Sequence, residues 1–198
     1  MGQMWFVGDP HLGHRLVSGL RGFATPEEHD QALMATFAEC FSDGDEVFWL
    51  GDIAFAGWQQ RIQQIRDLPG THRLIVGNHD RCFAGMPRAF TYQRRFLEVF
   101  DSVTEFARVS FGGIGFRLSH FPYSGDHTEP DREAQWRLRD LGAPLIHGHT
   151  HSSARFSLSV LGTPQICVCL EAWDLRPVTL AEVVETLRAG TDGVSTNS

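Results

Sequence analysis

Three observations predict an α/β fold. Short apolar runs alternate with longer amphipathic segments along the chain, the pattern of mixed strand and helix architecture. The 198 residues are 42% hydrophobic and 21% charged, which suits one packed core of ordinary domain size. Glycine-punctuated polar motifs directly follow several of the apolar runs, where α/β proteins place their sites. No internal repeat, low-complexity tract or Pro/Gly/Ser linker divides the chain. The expected organisation is a single domain over residues 1–190 with a frayed polar tail at 191–198.

Trp5–Val7 reads as a strand that starts the fold. Thr25-Pro26-Glu27-Glu28 then joins a cap, a proline at the first helical position and a capping-box acid, and the stripe Leu33, Met34, Phe37, Phe41 continues it as a helix. Val47–Leu50 is the next strand. A helix over Gly57–Leu68 is stopped by Pro69-Gly70, and Leu74–Val76 is a third strand. A helix within Tyr92–Phe100 precedes strands at Ser102–Val109 and Ile114–Leu118. Another helix is expected over Asp131–Leu141, then strands at Leu145–His147, Phe156–Val160 and Gln165–Leu170. Thr179-Leu180-Ala181-Glu182 opens a last helix that ends near Gly190.

Composition excludes several chemistries. All 17 basic residues are arginine, so phosphate loops of the Walker type, pyridoxal Schiff bases and lysine nucleophiles are ruled out. A net charge of -7 argues against a surface that grips long nucleic acid. No apolar run approaches the ~18 residues of a membrane helix and no charged-then-apolar leader opens the chain, so a cytoplasmic protein is expected. The four cysteines lack Cys-x-x-Cys spacing. Cys167 and Cys169 alternate on a strand and read as packing residues, not a disulfide framework.

Seven of the ten histidines fall in short segments after strands: Gly8-Asp9-Pro10-His11-Leu12-Gly13-His14, Gly77-Asn78-His79-Asp80, Ser119-His120 and His147-Gly148-His149-Thr150-His151. Gly51-Asp52 follows its strand in the same way. A lone Gly-Asp after a strand is common turn chemistry. Three histidines in five residues are hard to explain by packing, because a buried imidazole needs polar partners. Carboxylate, amide oxygen and imidazole form a hard-to-borderline donor set that suits Mn²⁺, Fe, Zn²⁺ or Ni²⁺ better than copper(I).

In this order, Asp9-x-His11, Gly51-Asp52, Gly77-Asn78-His79-Asp80, His120 and Gly148-His149-x-His151 resemble the calcineurin-like metallophosphoesterase superfamily. The match spans residues 8 to 152, and the opening motif together with Trp173-Asp174-Leu175-Arg176-Pro177-Val178 is similar to the small stand-alone bacterial and phage members. The resemblance implies a four-layer αββα sandwich, two mixed β-sheets flanked by helices. It implies two divalent ions, Mn²⁺ first, with Fe, Zn²⁺ or Ni²⁺ as alternatives. One would take Asp9, His11, Asp52 and His151, and the other Asp52, Asn78, His120 and His149. A metal-held hydroxide would attack phosphorus in line, with His79 near the leaving-group oxygen donating a proton or stabilising charge. Asp80 either orients His79 or is a solvated turn residue.

The protein-phosphatase branch carries an aspartate and an arginine shortly after its Gly-Asp pair. Here that stretch reads Ile53-Ala54-Phe55, and Phe55 is not expected to orient a histidine, which argues against a phosphoprotein phosphatase. His14 and Arg81 are assigned to substrate. His147 either joins the site or packs at its strand end, while His29, His72 and His127 are expected to be ordinary surface or structural residues. The other arginines between His79 and Phe100 read as the wet face of an amphipathic helix. The loop Phe121–Asp131 is either a rim of the pocket or a connector.

The expected function is therefore hydrolysis of a small or nucleotide-sized phosphodiester or phosphomonoester, with long nucleic acid and membranes not expected as partners. A nuclease acting on short or single-stranded ends is the alternative, and a non-catalytic metal-bearing scaffold is a further one. The residues do not specify an oligomeric state.

Overall fold

A computed structural model describes residues 2–126 and 128–195, so His127 and the last three residues of the expected tail lie outside the described residues. The strands are β1 (Met4–Val7), β2 (Glu46–Trp49), β3 (Thr71–Ile75), β4 (Ser102–Thr104), β5 (Phe106–Phe111), β6 (Ile114–Ser119), β7 (Leu145–His147), β8 (Phe156–Leu158), β9 (Pro164–Cys167) and β10 (Val178–Thr179). The helices are α1 (Arg15–Leu20), α2 (Pro26–Cys40), α3 (Trp58–Arg66), α4 (Ala89–Leu97) and α5 (Leu180–Ser195). Two five-stranded mixed sheets result, in the orders β10-β1-β2-β3-β4 and β5-β6-β7-β9-β8. β1 to β4 run parallel, with β10 antiparallel at the edge. In the second sheet β6, β7 and β9 are parallel and β5 and β8 antiparallel.

Strand alternation divides the core into two layers. Trp5, Val7, Val47, Trp49, Leu74 and Val76 face α2, α3 and α4, which contribute Leu33, Phe37, Ile62, Ile65 and Phe96. The intervening residues Phe6, Phe48, Leu50 and Ile75 face Phe116, Leu118, Ile146 and Ile166 of the second sheet. Both faces of the first sheet are thus buried, as a parallel sheet requires. α5 presents Leu180, Val183, Val184 and Leu187 to the second layer at helical spacing. Thr179 and Glu182 start it with a reciprocal box, in which the Thr179 amide donates to Glu182 and the Glu182 amide to Thr179 Oγ1.

Four expectations change. The strand expected over Ser102–Val109 breaks at Glu105, where the chain leaves the edge of one sheet and enters the edge of the other; period-2 alternation carries no mark of which sheet a residue joins. No α-helix forms over Asp131–Leu141. Only the 3₁₀ turn Ala134–Trp136 appears there, because Arg137 instead gathers the carbonyls of Pro122, Gly125 and Arg132 and the carboxylates of Asp126 and Asp131. The loop before that segment is tied to β9, the Tyr123 and Ser124 amides donating to buried Gln165. The last helix continues five residues past Gly190 to Ser195. α1 and β10 were not expected, being too short for a period to register.

Asp45 ties the beginning of the first sheet together. Its buried carboxylate accepts from the Gln3 amide at 2.7 Å, the Ser42 amide at 3.0 Å and Trp5 Nε1 at 3.0 Å. Asp45→Ala leaves these donors without an acceptor and should lower the unfolding free energy by about 2–3 kcal/mol, read from urea denaturation.

Candidate metal centre

The motifs following β1, β2, β3, β6 and β7 meet at one edge of the sandwich, because those strands share a direction within each sheet and end there. The two sheets are joined at this edge: the Gly8 amide donates to Val168 O at 2.9 Å and the Leu170 amide to Gly8 O at 3.2 Å. Five of the expected ligands, Asp9, His11, Asp52, His149 and His151, have left-handed backbones, with φ between 49° and 68°. Such a conformation costs on the order of 1–3 kcal/mol per non-glycine residue and persists where the surroundings enforce it. Here it turns residues two apart, Asp9 with His11 and His149 with His151, toward a common point. Glycine is required beside them: a Cβ at Gly77 would strike the Asp52 carboxylate, and one at Gly148 the carboxylate of Asp9.

All seven expected ligands come together. His11 Nε2 lies 3.8 Å from Asp9 Oδ1, 3.8 Å from Asp52 Oδ2 and 3.0 Å from His151 Nε2. His120 Nε2 lies 3.6 Å from Asp52 Oδ2, 3.0 Å from Asn78 Oδ1 and 3.3 Å from His149 Nδ1. Asn78 Oδ1 is also 3.1 Å from His149 Nδ1. Ligand atoms of Asp9, His11 and His151 lie within 4.8 Å of one another, as do those of Asp9, Asp52 and His120. Asp9 belongs to both groups, and Asp52 Oδ2 also faces His11 Nε2 of the first.

The proton arrangement shows what this cluster fits. His120 Nδ1 donates to the Leu50 carbonyl at 2.7 Å, His149 Nε2 to Asp126 at 3.1 Å and His151 Nδ1 to Glu171 at 2.9 Å. In neutral rings, the inward nitrogens of all three then carry lone pairs that face the oxygens of Asp52, Asp9 and Asn78 and one another. Asp9 Oδ1 and His11 Nδ1 are buried with no hydrogen-bond partner. Inward lone pairs on nitrogen and oxygen, with N–H groups secured outside, are what a ligated cation needs. The charge preferences differ among the rings. Burial opposes protonation of His151, but its hydrogen bond to Glu171 and the charges of Asp9 and Glu171 raise it to about 9, so positive charge is favoured there. Burial holds His11 down to about 4, and burial with the nearby charge of His120 holds His149 to about 3, keeping both rings neutral and able to ligate.

The other assigned residues divide. His79 is the exposed member, its side chain 43% accessible and its Nε2 3.9 Å from Asp52 Oδ2. Burial and the charge of His120 lower it to about 4. Its ring packs on Phe55 at 4.9 Å, and Phe55 also meets His11 at 5.1 Å and His14 at 4.2 Å, so Phe55 positions these rings by contact, contrary to expectation. Asp80 is neither solvated nor turned to the His79 ring. It accepts from the amides of Asp52, Ile53 and Gly77 at 3.1, 3.0 and 2.8 Å, fastening the second motif to the third. His14 lines the cavity above the cluster and caps α1, its Nδ1 accepting from the Val17 amide at 3.2 Å. Arg81 is exposed and not part of that lining; Arg132 and Arg21 are.

His147 packs at its strand end, donating through Nδ1 to Gly148 O. His29 and His72 are buried structural residues, paired with Asp30 and with Trp49 respectively. Of the two cysteines expected to pack, Cys169 also donates to Asp9 Oδ2 at 3.2 Å.

Three residues escaped the sequence. The Asp126 side chain is fully buried, and burial opposes its ionisation, yet hydrogen bonds from Arg132 and the charge and hydrogen bond of His149 hold it well below the usual range. Glu171 is lowered, against burial, by the His151 hydrogen bond and by Arg21. Arg21 donates to Glu171 at 2.7 Å and to the carbonyls of Asp9 and Pro10 at 2.8 and 2.9 Å. The only advance signals were an acid in the rim loop and an acid after the last long strand.

A buried nitrogen and oxygen cluster at strand ends of two packed mixed sheets defines a metal-dependent phosphoesterase fold. The model of the calcineurin-like phosphoesterase family matches residues 3–153, and the chain belongs to that family. It is 40% identical to the Gene 66 protein of Mycobacterium phage D29 over 201 residues, covering 96% of this chain and all of that one. It is also 40% identical to the Gene 66 protein of Mycobacterium phage L5 over 184 residues, 87% of this chain and 88% of the relative. Among solved structures, a protein of unknown function from Aquifex aeolicus, AQ665, shares the fold at a TM-score of 0.68 and 22% identity, covering 93% of this chain and 99% of that one. Among the described residues no helix is long and apolar enough to cross a membrane.

Asp126→Asn and Glu171→Gln each leave an imidazole without its anionic partner. Each should weaken Mn²⁺ binding about 10–100-fold in competition with a chelator, while the far-ultraviolet dichroism stays that of the parent.

Proposed function

We propose that the protein is a binuclear metal-dependent phosphoesterase that hydrolyses a small or nucleotide-sized phosphodiester or phosphomonoester. The observation that carries this reading is the set of three imidazoles with their N–H groups anchored outward and their other nitrogens turned inward, His120 toward Asp52, His151 toward Asp9 and His149 toward Asn78. Asp9, His11, Asp52 and His151 would hold one ion, and Asp52, Asn78, His120 and His149 the other. Two such dications supply hydroxide at neutral pH and neutralise phosphate oxygens. Mn²⁺ is the first choice, followed by Fe, Zn²⁺ or Ni²⁺.

The chain's own groups account for the remaining chemistry. His79, exposed at the cavity and neutral near pH 7, offers an N–H that can hydrogen-bond the leaving-group oxygen and stabilise its developing charge. Asp80 acts at one remove, by holding Asp52 and the Gly77 turn in register. The cavity over the cluster is about 490 Å³, the size of a small-molecule site. With a net charge of -7 and no lysine, this supports a compact substrate over long nucleic acid. We place the activity in one domain over residues 1–190 in a cytoplasmic protein.

The test is hydrolysis of bis-para-nitrophenyl phosphate and para-nitrophenyl phosphate by metal-stripped protein resupplied with Mn²⁺, Ni²⁺, Zn²⁺ or Mg²⁺. Turnover should require added metal and vanish in Asp52→Ala and Asn78→Ala. His79→Ala should lose about a hundredfold in rate with its metal content unchanged. Metal-independent turnover, or two firmly bound ions with neither ester attacked, would overturn the phosphoesterase reading.

A further inference from the structure

The cavity over the metal centre is not polar all round. α1 supplies Leu16, Val17 and Leu20 to its lining, while Arg132 contributes a guanidinium. Leu16 and Leu20 are 66% and 79% exposed and lie four residues apart, one helical turn. They continue onto a shallow hollow with Arg15 and Gly19, so the apolar strip leads outward from the metal-binding floor. Single exposed leucines are ordinary, but an apolar strip forming the wall of a binding cavity is not.

This wall is fixed relative to the reacting centre. His14, whose ring edge packs on Phe55, caps the first turn of α1. Arg21 follows its last turn with the side chain only 3% exposed, held by the carbonyls of Asp9 and Pro10 and by Glu171, the acid that anchors His151. A six-residue helix has little stability of its own, so its position is set by these two ties to the site. At about 490 Å³ the cavity also has room for an organic substituent beside the phosphoryl group.

We propose that α1 is the specificity element of this site: Leu16, Val17 and Leu20 receive an uncharged apolar group carried by the phosphoester. Esters with an aryl-sized substituent are then preferred over those with a small alkyl, polyol or charged one. This inference rests on the phosphoesterase reading, and the experiment separates the two. Phenyl para-nitrophenyl phosphate and methyl para-nitrophenyl phosphate share a leaving group and differ in the group that would meet α1. With Mn²⁺-loaded protein, the phenyl-to-methyl ratio of kcat/KM should fall about tenfold in the double variant Leu16→Asn/Leu20→Asn, chiefly through KM. Phe90→Asn, an equally exposed position on α4, should leave the ratio unchanged. Calorimetric binding of phenylphosphonate against methylphosphonate reads the same preference without turnover.

An unchanged ratio in the double variant, with both esters hydrolysed, overturns the role of α1 and leaves the phosphoesterase reading intact. A preference for phenylphosphonate that the double variant loses, with neither ester hydrolysed, supports α1 and sinks the phosphoesterase reading. A parent that sediments as a dimer and a double variant that sediments as a monomer, with the ratio unchanged, assigns the face to a second copy of the chain and overturns the proposal.

Discussion

Crowding of buried electron-pair donors at one edge of the sandwich is the constraint around which this molecule is arranged. Two carboxylates, an amide oxygen and four imidazoles are held within a few ångströms of one another, an arrangement that repels itself in the absence of positive charge. The left-handed backbones at five of these positions, the glycines that admit the carboxylates, and the outer hydrogen bonds all serve to hold it. Two sheets with buried faces provide the stiffness this demands.

Two of the three outer hydrogen bonds end on arginine-braced acids. Glu171 secures His151 and is itself held by Arg21; Asp126 secures His149 and is held by Arg132 and Arg137. Against burial, Glu171 is held ionised by the His151 hydrogen bond and then by Arg21, and Asp126 by Arg132 together with His149, so each favours an outward N–H on its histidine. Arg21 links this bracing to the carbonyls of the first motif, so the same side chain steadies a ligand loop, an outer acid and the end of α1. Arg132 combines bracing with a place in the cavity wall.

Much of the site was legible because its chemistry is local: Gly-Asn-His-Asp and Gly-His-Thr-His are unusual over four residues. The bracing was not, because it is long-range. Arg21 and Glu171 are 150 residues apart, and His149 and Asp126 are 23 apart across a loop that reads as polar surface. Asp80 was misplaced for the opposite reason, since adjacency to His79 suggested a contact where the carboxylate instead faces three amides. In the fold, strands that read as short continuous apolar runs, such as Val47–Leu50, stood out. The expected helix over Asp131–Leu141 failed because its arginines find better acceptors in a loop than along a helix, and β10, two residues long, owes its form wholly to pairing with β1.

The family match ends at residue 153, yet Glu171 and Cys169, which contact His151 and Asp9, lie beyond it. So do β9, which pairs with β7 beneath the histidine loop, and β10, which closes the edge beside β1. A chain emerging from a ribosome therefore displays every ligand before it has made the parts that hold the first and last motifs in place. An ion met earlier would find His151 without its acid, although the outer partners of His120 and His149 are already made.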